Sequence, residues 1–482
     1  MKKRLFVGIL AALLMLMPLA SCKKDPEKPG DGTKETIELD DGDGYNYGSL
    51  DCKQEDFTFL NCDEDRWNMK TVLVPDGDTG DEVSDAVYSR NSKLEVLYNV
   101  VFKCINRDIY ETAEYVRTQC MGGAEGVDAA FVTGKFVSTL IGENLLNDFS
   151  EYRDLQIYEP WWGQIIREES QFGGSSSLYY AQSDISLTAF DLTWCVVADL
   201  DRINALSLED PYTLVDNHEW TYDKMLSMAE AGKTPNADGS YTYSEDTSCV
   251  FGLITYNNFA LALLNGSGCF LTQKDDLGMP TFTGDGQRFG DVVEKIAKAF
   301  NTEGLMKHAN DEGFHYEEIF SKQRALFAGV EVKATRRFVS AGLHYAIVPV
   351  PMYDAEQENY YSSVTYEAPL LVIPNTDSDK DRTGRILDTM AYLSYKDLLP
   401  VYYTSNLSLK AIGTPEGTKM LDTIRDTRCF ESSLFYGWTN DFYLELRDVM
   451  TGFSTATTAT ATVQKYRSAI NVALNDYIAT LR

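Results

Sequence analysis

The sequence predicts an α/β fold with more than one domain, and three observations carry that expectation. Segments of strand and helix periodicity alternate along the chain. The length, 482 residues, exceeds what one hydrophobic core usually serves. The composition, 44% hydrophobic and 12% aromatic, supplies ample core material.

The elements follow in order. "FTFLNC" (57–62) alternates as a strand and runs into an acidic loop, "DEDRWN". "SDAVYSRNSKLEVLYNVVF" reads as a helix start and then a strand, and "GVDAAFVT" as a buried strand. In "EWTYDKM", Thr221 is placed as an N-cap with Trp220 as the apolar residue before it. Val292, Val293, Ile296 and Phe300 recur at helical spacing. "LHYAIVPVP" and "APLLVIP" are short strands stopped by proline, and "DRTGRILDTMAYLSYKDLL" is an amphipathic helix with an acidic start. The pair in "EPWWG" is costly to place, because adjacent side chains diverge on either a strand or a helix. Trp162 is expected in the core, with Trp161 facing the other way, half-exposed near the lobe edge.

The N-terminus, "MKKRLFVGILAALLMLMPLASC", has a basic start and an apolar run over 5–16 that is too short to span a bilayer. Small residues follow, so 1–21 reads as a signal peptide. Leu19-Ala20-Ser21-Cys22 resembles the bacterial lipobox, which implies a lipoprotein anchored to the membrane through lipid on Cys22. Residues 22–48 are polar and rich in Gly, Pro and acid, and read as a disordered tether. Some 25 flexible residues reach roughly 25–30 Å.

The formal charge of −30 grows more negative once Lys2, Lys3 and Arg4 are removed. Such a surface repels nucleic acid and bare anionic membrane, so neither is an expected partner. The cysteines show no CxxC and no Cys/His cluster, so no zinc site is indicated. Cys52 with Cys62, and Cys249 with Cys269, are close enough in sequence to pair as disulfides; free buried thiols are the alternative. The turn around "NADGS" matches later positions of a calcium loop but begins on Thr234, a poor first ligand. No metal and no cofactor are expected.

Five separated segments carry a family resemblance. They are "GDEVSDAVYSRNSKLEVLYNV", "LNDFSEYRDLQIYEPWWGQII", "LSLEDPYTLVDNHEWTYDKMLSMAEAG", "AIVPVPMYDAEQENYYSSV" and "VIPNTDSDKDRTGRILDTMAYLSYKDLLPVYY". In order and spacing they resemble the extracellular solute-binding proteins of bacterial ABC importers, in the carbohydrate-binding group related to maltose-binding protein. The resemblance implies a two-lobed periplasmic-binding-protein-like fold of type II, with a hinge crossed more than once and a ligand cleft between the lobes. It places residues 50–188 plus about 353–400 in the first lobe, and about 189–352 plus 401–482 in the second. Two stretches depart from the pattern. "VVADLD" stands where the family shows an aromatic-Asn-Lys run, and "SLKAIGTPEG" replaces a lysine-rich segment.

Sugars present apolar ring faces and hydroxyl edges, so a site for them needs aromatic surfaces with acceptors and amides at their rim. The resemblance carries such roles onto Asp65 and Trp67 after the first strand, Lys135 after "GVDAAFV", and Asp191 and Trp194 before the first crossing. It does the same for Tyr256 and Asn258 at the tip of "TYNNF", Glu331 and Arg336 after "ALFAG", and Trp438 in "FYGWTND". The implied function is a lipid-anchored receptor that captures a carbohydrate, expected to be an oligosaccharide, and passes it to the importer permease on the outer face of the cell membrane. A surface glycan-binding lipoprotein shares these features. A glycoside hydrolase would need a carboxylate pair that no motif marks, and there is neither a G-x-S-x-G nor a histidine triad pattern, so no enzyme is expected.

Overall fold

The computed structural model describes residues 44–63, 72–308, 315–405, 414–453 and 458–480. The expected signal peptide, Cys22, most of the expected tether, Asp65 and Trp67 lie outside them. The chain first lays down β1 (Asp56–Cys62), β2 (Val101–Arg107) and β3 (Ala129–Thr133). It continues with β4 (Trp194–Asp199) and β5 (Phe251–Thr255), then a hairpin of β6 (Thr272–Lys274) and β7 (Pro280–Phe282). Next come β8 (Met306–His308), β9 (Ala325–Glu331) and β10 (Tyr345–Pro349). The last strands are β11 (Ser362–Ser363), β12 (Pro369–Val372) and β13 (Arg428–Cys429).

Two larger sheets form, and each is the floor of one lobe. The first has the order β12-β3-β1-β2 and the second β10-β4-β9-β5-β8. In the first sheet β1 pairs in parallel with β2 and β3, while β12 returns antiparallel to β3. In the second, β5 is parallel to β8 and β9, while β4 runs antiparallel to β9 and β10. The chain thus passes from the first sheet to the second after β3 and returns with β12. The crossing segments touch at Thr193 and Val364, which form an isolated bridge, and β11 pairs with β13.

The apolar runs read from the sequence become central strands. Every residue of β3, β4, β5, β10 and β12 is buried, as expected where helices cover both faces of a parallel sheet. The helix Glu82–Tyr98 starts at an Asp81 cap that accepts from Ser84 N, and it runs farther than the sequence suggests, leaving only Val101 onward for the strand. Its end is set by Asn99 in the left-handed conformation, a C-cap signal that asparagine serves well. Thr221 caps the helix Tyr222–Gly232, and the buried Trp220 donates its indole N–H to Pro349 O at 2.8 Å. The helix Lys380–Leu393 passes through a π-turn, Ser394–Leu398, into Leu399–Ser405.

The double tryptophan has a specific partner. Both indole N–H groups donate to the same oxygen of Asp388, at 3.1 Å from Trp161 and 2.9 Å from Trp162. Asp388 is fully buried and also accepts from Tyr45 Oη at 2.8 Å, Gln156 N at 2.9 Å and Gln156 Nε2 at 3.0 Å. One carboxylate therefore ties "EPWWG" to the helix Lys380–Leu393. Tyr45 stacks on Tyr392 with 4.0 Å between ring centroids, and the Tyr47 carbonyl accepts from Tyr98 Oη. This corrects the tether boundary: Tyr45 and Tyr47 pack against the fold, because two tyrosines supply the apolar area that the rest of the tether lacks. The eight described cysteines are all free, so neither Cys52–Cys62 nor Cys249–Cys269 is a disulfide. In the "NADGS" turn the Asn236 side-chain oxygen is taken by the N–H groups of Ser248 and Cys249, a backbone role that accounts for the motif without a cation.

Candidate functional site

Open α/β sheets bind ligands outside the carboxyl ends of their parallel strands. In the first lobe those ends carry Asp63 after β1, Tyr110 after β2 and Lys135 after β3. In the second they carry Tyr256 to Asn258 after β5, and Glu331 to Arg336 after β9.

Lys135 is placed by a close backbone approach. Gly134 N and Lys135 N donate to the carbonyls of Ala368 and Tyr366, both at 3.1 Å. A Cβ on Gly134 would stand 2.6 Å from the Phe435 ring, so only glycine fits. The Lys135 ammonium pairs with Glu367 at 3.1 Å and lies 4.5 Å from the Tyr110 ring centroid. Tyr366 beside it packs edge-on to Tyr443 and lies within electrostatic reach of Tyr110 in the first lobe and of Tyr256 and Arg447 in the second. Burial, more than these neighbours, raises its phenol well above the usual range. Tyr256 is 39% exposed, an open ring at the mouth of the second lobe. The Asn258 side-chain oxygen accepts from Arg447 Nη1 at 2.9 Å. Glu331 and Lys333 form an ion pair at 2.9 Å with both side chains largely shielded.

Asp191 and Arg336, chosen separately from the sequence, bind each other. Arg336 Nη2 donates to Asp191 Oδ1 and, at 3.3 Å, to Tyr402 Oη, while the Tyr402 hydroxyl donates to the same Asp191 oxygen. Burial lowers the Arg336 pKa, but Asp191 and Tyr402 outweigh it and the net shift is upward. The three residues line a cavity of about 260 Å³ whose other walls include Asp81, Ser84, Ile185 and Leu398. First-lobe residues on the helix Glu82–Tyr98 and second-lobe Arg336 thus share one cavity between the lobes.

Two expected aromatics lie elsewhere. Trp194 is 3% exposed and packs against Phe259, and Trp438 is 7% exposed and packs against Phe172, Tyr436 and Tyr477. Stacking on a sugar needs an accessible ring face, which neither offers. Both are core residues, because their neighbours in the fold are themselves aromatic. Tyr110, Tyr366, Glu367, Tyr402 and Arg447 were not singled out from the sequence. The exposed tyrosine soon after a strand end was a usable signal for Tyr110; the others arrive only through folding.

No family model matches the chain, and none of the curated proteins does. Solved structures do match. An ABC substrate-binding protein from Listeria monocytogenes, in complex with cycloalternan, superposes with a TM-score of 0.57 at 11% identity, over 88% of this chain and 99% of that one. The GacH receptor of Streptomyces glaucescens, described with acarbose, gives 0.55 at 13% identity, over 87% and 99%. A cyclo/maltodextrin-binding protein complexed with maltotetraose gives 0.57 at 10% identity, over 89% and 99%. The fold is that of two-lobed sugar-binding proteins. It is a mixed α/β type II fold, with one sheet per lobe and the crossings between them. Among the described residues no helix is long and apolar enough to cross a membrane.

Proposed function

We propose that this chain is the extracytoplasmic receptor of an ABC importer, held to the membrane by lipid on Cys22, and that it captures an oligosaccharide between its lobes for delivery to the permease. The observation that carries the reading is the interlobe surface on this fold. Tyr110 and Tyr256 offer part-exposed rings from opposite lobes. Lys135–Glu367, Glu331–Lys333 and Asp191–Arg336 hold charged rims in neutral pairs. Rings suit sugar faces, and paired ions accept and donate to hydroxyls without attracting a charged ligand. A ligand touching both lobes favours whichever lobe arrangement makes the most contacts, which is the signal a permease reads. Its action is binding, without bond cleavage. The solved neighbours in complex with cycloalternan, acarbose and maltotetraose support starting with those oligosaccharides.

The test is calorimetry of the lipid-free domain. Tyr256→Ala and Tyr110→Ala are expected to weaken oligosaccharide binding by about 1–3 kcal/mol each, with a smaller loss of folding stability because both rings are part-exposed. Unchanged affinity in both variants would place the sugar somewhere other than this cleft.

A further inference from the structure

A larger cavity, about 310 Å³, shares no residue with the Asp191–Arg336 cavity. Its walls come from Glu168 and Glu169 on the helix Gln164–Ser170, from Phe172, from Phe270 and the β6 residues Thr272 and Lys274, and from Phe430 and Ser432. Three phenylalanines and two glutamates line it. Glu169 accepts a hydrogen bond from Phe430 N at 3.2 Å, and among the described residues no lysine or arginine lies within ion-pair distance of it. Burial, and to a smaller degree Glu431, pushes it up to about 8 against the Phe430 N–H and the Lys274 ammonium that faces it. The site already holds one cation. The Lys274 ammonium lies 5.4 Å from the Phe172 centroid and donates to the Glu168 carbonyl, although burial lowers its pKa.

We infer that this cavity binds a small organic ammonium ion with an apolar, ring-sized body. Its volume is at the lower end for small-molecule sites. Phenylalanine faces stabilise both a cation and an apolar body. Glu169 supplies the counter-charge, with Glu168 and Glu431 beside it favouring the same sign of ligand and Lys274 opposing it. A neutral sugar is served less well. It needs several rim partners, whereas the Thr272 hydroxyl is already turned onto Glu431. Binding has a proton balance: the ligand enters as R–NH3⁺, and the Glu169 carboxyl gives its proton to buffer as the ion pair forms. Affinity therefore rises about tenfold per pH unit below the Glu169 pKa and levels off above it.

The test uses the lipid-free domain, phenethylammonium chloride and its uncharged counterpart 2-phenylethanol, by calorimetry at neutral pH in phosphate and in Tris. The expected result is a cation bound about tenfold or more tightly than the alcohol, with a buffer-dependent heat matching about one proton released. Glu169→Gln, which keeps an acceptor for Phe430 N, should remove the proton release and most of the preference. Phe270→Ala, at a half-buried position, should weaken binding without unfolding the domain. Equal affinity for the alcohol, binding without proton release, an unaffected folded Glu169→Gln protein, or no binding of the ammonium at millimolar concentration would each overturn the inference.

Discussion

Replacing Asp388 by alanine tests how the double tryptophan is held. The carboxylate is fully buried and accepts five hydrogen bonds between 2.8 and 3.1 Å, from Tyr45, Gln156 N, Gln156 Nε2, Trp161 and Trp162. Hydrogen bonds to a charged group contribute roughly 1.5–3 kcal/mol each, and those sharing one acceptor do not add. Alanine would leave five donors without their partner and a void where the carboxylate stood. Trp162, 3% exposed, cannot turn to water for a replacement. A loss of about 4–5 kcal/mol is therefore expected, at the upper end for a single substitution. Asparagine keeps one acceptor oxygen but turns an NH2 toward donors, and should cost about 2–3 kcal/mol. Urea melts of the lipid-free domain, followed by tryptophan fluorescence, report both values, with the slope unchanged if only stability is altered. A loss under about 1 kcal/mol for Asp388→Ala would refute the reasoning, since it would mean that the two indoles are positioned by packing alone.

Three further outcomes are expected. Cys22→Ser should move the protein from the membrane fraction to the medium or periplasm; retention in the membrane fraction would contradict the lipid anchor. Trp438→Ala should cost about 3–5 kcal/mol of folding stability and leave sugar affinity in the folded fraction nearly intact, which parallel melts and calorimetry would measure. The Glu169 pKa, raised on folding to about 8, means that the native state holds a proton the unfolded chain has released, so stability should fall as pH rises from about 5 to 8. The slope from this group is at most about 1.4 kcal/mol per unit, and Glu169→Gln should flatten it in melts across that range.

Strands were the most legible elements, because "GVDAAFVT", "LHYAIVPVP" and "APLLVIP" are apolar runs with β-branched residues and clear stops. The helix Glu82–Tyr98 was cut short, because "LEVLY" carries the residues of a strand, yet tertiary packing of Val87, Leu94 and Tyr98 keeps it helical. The tether reading overran at Tyr45 and Tyr47, where single aromatic residues outweigh a disordered composition. In the site, Tyr256 and Arg336 could be named because they follow strand ends, which are legible in sequence, and Asp191 because it precedes the strand that starts the second sheet. Trp194 and Trp438 were misplaced because a tryptophan near a polar loop looks the same in sequence whether its neighbours are solvent or other rings. Glu367 and Tyr402 could not be read at all; they meet Lys135 and Arg336 across more than 60 residues of chain. The Asp388 hub was equally hidden, since nothing in "RILDTM" marks an acid that will be buried under two indoles 226 and 227 residues away.

The most direct measurement is a melting screen of the lipid-free domain against mono- and oligosaccharides, including maltotriose, maltotetraose and acarbose. At 100 times its dissociation constant a true ligand adds about 2.7 kcal/mol to the stability of the folded receptor. The account predicts that at least one oligosaccharide raises the melting temperature in a concentration-dependent way, and that Tyr256→Ala blunts the rise. A panel in which no sugar shifts melting, while a peptide or another solute does, would contradict it.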